Sequence, residues 1–108
     1  PIKTNNMDKR KPNTNALGDK WTKKQILEVW RKDNIPVHNY AVEEYRTDMC
    51  GFVIKFSEFG KKTEYGWEID HIIPVAIGAT DLIINLQALH WKVNKHKGDD
   101  INFTCPNL

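Results

Sequence analysis

The stretch GWEIDHIIP, residues 66–74, places two chemically versatile side chains next to each other, Asp70 and His71. A carboxylate binds a hard divalent cation, and a neutral imidazole can take a proton from a nearby water molecule. Neighbouring strand residues point to opposite faces, so the two groups can serve one reaction only if the chain bends. If the strand ends at Asp70, a bend over residues 71–74 could turn His71 towards the same groove. Without further support, such a dipeptide is more often a surface accident.

Further polar side chains follow in NLQALHWKVNKHKGD, residues 85–99. His90 and Asn94 are four residues apart, so on a helix both can point at one spot. Imidazole nitrogen and amide oxygen are both metal ligands. The alternative for His90 is a partly buried ring that bonds to the backbone, and for Asn94 an exposed position near a helix end. For Asn85 we expect a structural role, in which an Asx-type turn fixes the loop.

The elements before this region are a helix and a hairpin. Thr22 and Gln25 fit a capping box, and the apolar stripe that follows predicts a helix of about ten residues, ended by Asn34 and Pro36. Residues 33–51 are interpreted as a loop with at most one helical turn.

GFVIKFSEFG, residues 51–60, alternates like a strand. The glycine-containing segment after it should turn the chain back into WEID, residues 67–70, to complete a β-hairpin. Residues 85–99 should begin extended, become helical around His90 and stop at Gly98.

Composition places the chain among soluble single domains. It has 108 residues, of which 40% are hydrophobic and 28% charged, with a formal net charge of +2. Residues 1–20 are predicted to be a flexible basic arm and residues 21–108 one domain. No apolar stretch is long enough to span a membrane and no signal-like segment is present, so we expect a cytoplasmic protein. Cys50 and Cys105 form no C-x-x-C pair, and a disulfide or two buried thiols remain open.

The segment DHIIPVAIGATDLIINLQALHWKVNKHKGD, residues 70–99, resembles the HNH endonuclease family. The resemblance implies an α+β protein with a ββα-metal (His-Me finger) core over residues 66–99, preceded by an N-terminal helix and a β-hairpin. Many family members carry two C-x-x-C pairs that hold a structural zinc. Here the later pair is replaced by His90 and Val93, so no zinc ribbon is expected. Apolar packing should then hold the fold, through Trp21, Trp30, Phe52 and Trp67.

The resemblance also implies roles for individual residues. His71 would be the general base, and Asn85 a catalytic residue that tethers the loop and orients His71 through the backbone. Asp70 and Asn94 would be metal ligands, with His90 as a further ligand. The nucleic-acid contacts would come from Lys95 and Lys97.

The implied function is a metal-dependent endonuclease that hydrolyses phosphodiester bonds in DNA by a one-metal mechanism. Its cofactor would be one divalent ion, Mg²⁺ by preference, with Mn²⁺, Zn²⁺ or Ni²⁺ as alternatives. The partner is DNA and not a membrane, and a site-specific enzyme would need a separate recognition subunit or a larger parent chain. One alternative is a catalytically inactive HNH-fold module that binds nucleic acid or another protein. Another is a structural metal module with Asp70, His90 and His96 as ligands.

Overall fold

The computed structural model describes residues 10–32, 35–36, 43–78 and 80–107. Single 3₁₀ turns occur at Phe56–Glu58, Val75–Ile77 and Ile83–Asn85. In chain order the helices and strands are α1 (Lys23–Arg31), β1 (Ile35–Pro36), β2 (Tyr45–Thr47), β3 (Val53–Lys55), β4 (Trp67–His71), β5 (Leu86–His90) and α2 (Trp91–Lys97).

Helix α1 begins at the predicted capping box. The Thr22 hydroxyl accepts a hydrogen bond from the Gln25 N–H at 3.1 Å, and Gln25 Oε1 accepts one from the Thr22 N–H at 3.0 Å. Each side chain thus satisfies a backbone donor that the first helical turn leaves unpaired. The helix ends at Arg31, and Asn34, predicted to help end it, lies outside the described residues.

The first sheet differs from the prediction. Strands β1, β2 and β3 form an antiparallel sheet in that order, so the loop predicted for residues 33–51 contains two strands, although residues 33–34 and 37–42 lie outside the described ranges. The predicted hairpin of residues 51–60 with WEID is wrong, because β3 and β4 belong to different sheets and β3 pairs with β2. An isolated parallel bridge from Phe59 to Trp67 joins the two predicted segments instead. A tight turn from Asp48 to Gly51 explains why β3 pairs with β2. The Gly51 N–H closes this turn by donating to Asp48 O at 2.9 Å. Closing this short loop orders less chain than closing the longer one before β4.

The second sheet and α2 form a ββα unit. Strands β4 and β5 pair antiparallel, from Trp67 opposite His90 to His71 opposite Leu86. Helix α2 follows β5 directly and stops at Gly98, whose φ of 51° lies in the left-handed region. The predicted change from strand to helix at His90 and the stop at Gly98 are therefore confirmed.

Indole rings form much of the core. Trp21, Trp30 and Trp67 are buried in one cluster, whereas Phe52 is only half-buried and lies outside it, contrary to the prediction. The cluster is completed by Val29, Ile54, Ile69, Leu86 and Ala88. Cys50 and Cys105 form a disulfide, which decides between the two options that the sequence left open. Among the described helices, none combines the length and apolarity that crossing a membrane requires.

Candidate active site

A cavity of about 550 Å³ follows one edge of β4. It is the edge that β5 leaves unpaired, since the Ile69 N–H there donates to Asn13 Oδ1 at 2.8 Å. An edge cavity receives side chains from both faces of a strand, so Asp70 and His71 both line it. The condition that the strand ends at Asp70 is not met, because β4 runs through His71. The two groups meet at the strand edge without a bend between them.

Asp70 is a buried carboxylate, with 7% of its surface exposed. Its Oδ2 accepts a hydrogen bond from Gln87 Nε2 at 2.9 Å, and its Oδ1 lies 3.2 Å from Lys97 Nζ. Burial raises the pKa of Asp70 above its usual value, and the Gln87 bond and the Lys97 charge oppose this shift only in part. Each carboxylate oxygen has a second lone pair, so Asp70 can still bind a cation.

His71 is buried and held by a carboxylate. Its Nε2 lies 2.7 Å from Asp81 Oδ1, and its ring packs against Trp21 with 5.5 Å between the ring centroids. Asp81 also accepts a hydrogen bond from the Ala16 N–H at 3.0 Å. An ionised carboxylate at Nε2 favours the tautomer that carries its proton there, which leaves Nδ1 as the proton acceptor.

Asn85 ties together both ends of the loop that follows His71. Its backbone oxygen accepts from the Ile72 N–H, and its Oδ1 accepts from the Ile73 N–H, both at 2.8 Å. Its Nδ2 donates to the carbonyl oxygens of Ile73 and Thr80 at 3.1 Å each. The structure therefore places Asn85 as a loop tether beside His71. Its bonds run across the loop, however, and do not form the expected Asx-type turn.

Helix α2 contributes two of the predicted side chains to the cavity. Asn94 is half-buried, and its Nδ2 donates to Glu68 Oε1 at 2.7 Å. Lys95 is exposed and lines the same cavity. Both residues stand where a substrate in the cavity would meet them.

His90 does not join this site. It lies opposite Trp67 in the sheet and caps α2, and its Nδ1 accepts from the Lys92 N–H at 3.1 Å while its Nε2 lies 2.7 Å from Glu64 O. Since both ring nitrogens have backbone partners, the structure corrects the prediction of a metal ligand and favours the structural alternative. His96 is exposed beside Phe103, so Asp70, His90 and His96 do not converge. Within the described ranges, no group of three or more His, Cys, Asp or Glu side chains could hold a metal ion.

Lys97 also departs from its predicted role. Only 4% of its surface is exposed, and its Nζ contacts Asp70 Oδ1 and the backbone oxygen of His71, the latter at 3.0 Å. Asn94 and Lys97 are three residues apart, so both lie on the face of α2 that packs against β4. A phosphate contact needs an exposed ammonium group, and the structure places this one inside the protein.

The cavity contains residues that were missed in the sequence. Glu68 could have been predicted as a cavity residue, because it lies two residues before Asp70 and therefore on the same face of the strand. Asp81 could not, since only the folded loop brings it to His71. Residues 10–13, assigned to a flexible basic arm, line the cavity here, whereas residues 1–9 lie outside the described chain. Four Lys and Arg side chains line the cavity: Arg10, Lys11, Lys62 and Lys95.

Comparison with known families finds a match to HNH endonuclease over residues 48–100. This part of the chain belongs to the HNH endonuclease family. Comparison with curated proteins and with solved structures found no match. The HNH match begins at Asp48 and so includes the β2–β3 turn, β4, β5 and α2, more than the predicted core of residues 66–99. The α+β fold is compatible with the ββα-metal fold of HNH nucleases, which act on nucleic acids and typically use a divalent metal ion.

Proposed function

We propose that the HNH domain is an endonuclease that hydrolyses phosphodiester bonds in DNA with the help of one divalent metal ion. We further propose that residues 21–108 form a single nuclease domain, to whose cavity residues 10–13 of the preceding segment contribute. The main support is one observation: Asp70, His71 and Asn94 all line the same cavity. These three types of side chain supply a carboxylate, a base and an amide oxygen.

The chemistry of the cavity suits a hard divalent cation such as Mg²⁺. Such ions prefer oxygen ligands and keep several water molecules, so a few protein ligands suffice. Asp70 and Asn94 would hold the ion. When bound, it would stabilise the charge that develops on the phosphorus-bound oxygens and on the leaving 3′ oxygen.

His71 would act as the general base. Its Nδ1 would take a proton from a water molecule, whose oxygen attacks the phosphorus as the bond to the 3′ oxygen breaks. Asp81, at 2.7 Å from Nε2, would stabilise the imidazolium that forms. Asn85 would keep the following loop in place and so preserve the orientation of His71. The products would carry 5′-phosphate and 3′-hydroxyl ends.

The Lys and Arg side chains that line the cavity would contact the DNA backbone. Lys95 is the predicted contact that remains exposed, and Arg10, Lys11 and Lys62 line the same cavity. Contacts to phosphates position a nucleic acid without distinguishing its sequence. We therefore expect affinity for DNA to fall as salt concentration rises.

The test is cleavage of supercoiled plasmid with Mg²⁺, Mn²⁺ or EDTA, comparing the wild type with His71→Ala. We expect nicking or linearisation that requires metal and falls roughly 10²- to 10⁴-fold in His71→Ala, the contribution of a positioned general base. His96→Ala is the control, because it removes an exposed imidazole outside the cavity. Full activity of folded His71→Ala would refute the assignment of the base.

One observation favours the second candidate, an inactive HNH-fold module that binds nucleic acid. The Lys97 ammonium group pairs with the carboxylate that would bind the metal. If the folded wild type binds DNA but cleaves it with none of these metals, the inactive module becomes the better assignment.

A further inference from the structure

Glu68 stands in the wall of the cavity beside Asp70. Only 9% of its surface is exposed, and its Oε1 accepts a hydrogen bond from Asn94 Nδ2 at 2.7 Å. Residues 68 and 70 share one face of β4, because strand side chains alternate. Glu68 thus combines burial, access to the cavity and contact with a proposed metal ligand.

Among the described residues, Glu68 has no positively charged partner comparable to the one that Lys97 gives Asp70. Asp70 pairs with Lys97, whereas Glu68 forms no ion pair with any residue in the part of the chain that the structure describes. Oε1 carries the bond from Asn94, and Oε2 accepts no hydrogen bond within the same described part. Oε2 is not among the buried unpaired atoms, so it keeps contact with the cavity that Glu68 lines. A carboxylate with so little of its surface exposed loses hydration, and a nearby cation compensates that loss. A positive ion in the cavity would provide that compensation.

We propose that Glu68 contributes a carboxylate to the same divalent cation that Asp70 and Asn94 hold. This inference rests on the proposed function. Glu68 supplies an oxygen donor of the kind hard cations prefer. Its bond to Asn94 engages the amide nitrogen Nδ2, which leaves Asn94 Oδ1 as the amide atom available to the ion. Three donor side chains then come from two elements, β4 and α2.

The test measures metal binding directly and does not depend on catalysis. The full chain is freed of metal by chelation and titrated with Mn²⁺ alone, in an isothermal calorimeter, as wild type, Glu68→Gln, Asp70→Asn and Glu28→Gln. Glutamine keeps a carbonyl oxygen that can accept from Asn94 but removes the charge. Glu28→Gln makes the same change at an exposed position of α1. We expect Kd for Mn²⁺ to rise at least about tenfold in Glu68→Gln and to stay unchanged in Glu28→Gln.

The possible outcomes separate this inference from the proposed function. Wild-type affinity in folded Glu68→Gln, together with lost binding in Asp70→Asn, would overturn the role of Glu68 and leave the metal-dependent nuclease intact. No Mn²⁺ binding by the wild type would overturn the metal-dependent function and the role of Glu68 together. If Glu68→Gln does not fold, Glu68→Asp replaces it, because aspartate keeps the charge but withdraws it by one methylene. Weaker Mn²⁺ binding by folded Glu68→Asp supports the proposal, and wild-type binding overturns it.

Discussion

Asp70 is the residue in which folding and metal binding make opposite demands. Its burial favours the neutral carboxylic acid, and its proposed role needs the carboxylate. Gln87 and Lys97 reduce the conflict by a hydrogen bond and a positive charge. A metal ion would reduce it further, because it adds charge beside the same carboxylate. The metal-free protein should therefore show the conflict most clearly.

The raised pKa of Asp70 predicts the pH dependence of stability. Between 3.8, the usual aspartate pKa, and the raised pKa, the folded state keeps a proton that the unfolded state has lost. The free energy of unfolding contributed by Asp70 is therefore fully present below 3.8 and declines as pH rises through the folded pKa. Urea unfolding in EDTA, from about pH 3 to about pH 7, should show the wild type losing stability relative to Asp70→Asn. A relative gain with pH would mean that pairing with Lys97 outweighs burial.

Asp81 is also argued at the scale of a single residue, because it would act through one hydrogen bond to His71. Asp81→Asn should lower the rate of DNA cleavage by roughly 10- to 100-fold, part of what a general base contributes. The amide can still bond to His71 but can no longer stabilise the imidazolium by charge. The measurement is the cleavage rate at saturating Mg²⁺, with circular dichroism as a check of folding. Asp19→Asn, at an exposed position, is the matched control. A wild-type rate in Asp81→Asn would remove Asp81 from the mechanism.

At the scale of elements, Asp48 joins the first hairpin to the ββα unit. Its side chain is 2% exposed and accepts hydrogen bonds from the N–H groups of Cys50, Phe52 and His90, each at 3.0 Å. The bond to His90 reaches the start of α2, a position that belongs to the later cysteine pair in family members with zinc. A carboxylate thus links elements that a metal ion links in those members.

Removing this link should destabilise the protein. Asp48→Ala leaves three backbone donors without their charged acceptor, so the free energy of unfolding should fall by about 3 kcal/mol or more. Urea unfolding of the variant and of the exposed control Asp19→Ala would measure the loss. A change below about 0.5 kcal/mol, the range typical of surface substitutions, would show that the turn holds without the side chain.

At the scale of the whole molecule, the Cys50–Cys105 disulfide connects the β2–β3 turn to the C-terminal segment. It spans 55 residues, a stretch that includes β3, β4, β5 and α2. Most of the cavity wall therefore lies inside one covalent loop. Disulfides persist mainly in oxidising compartments, so this bond argues against the cytoplasmic location expected from the sequence. The cytoplasmic location stays a prediction.

Opening the disulfide should lower stability without removing the site. Chain-entropy arguments for a loop of this length give about 4 kcal/mol, and measured losses are commonly about 2–5 kcal/mol. Cys50→Ser and Cys105→Ser should lower the urea midpoint equally, and a reducing agent should do the same to the wild type alone. If reduction leaves the wild-type midpoint unchanged, the bond contributes no net stability.

The residues of the candidate site could be predicted where they lie in one short segment. The order of Asp70, His71, Asn85 and Asn94 and the strand-to-helix change at His90 follow from local pattern. The first hairpin was not predictable in the same way, because the pairing of β3 depends on a competition between two turns. The sequence pattern identified a histidine and a lysine, His90 and Lys97, but not the direction of their side chains.

The sequence by itself determined the types of functional group and the elements that carry them, since capping, alternation and helix termination depend on neighbouring residues. Only the tertiary structure decided which groups share the cavity. The pairing of β4 with β5 and the packing of α2 placed Asn94 beside Glu68, buried Lys97 against Asp70 and turned His90 away. The folded loop brought Asp81 to His71. These contacts join residues from separate elements, and no local pattern specifies them.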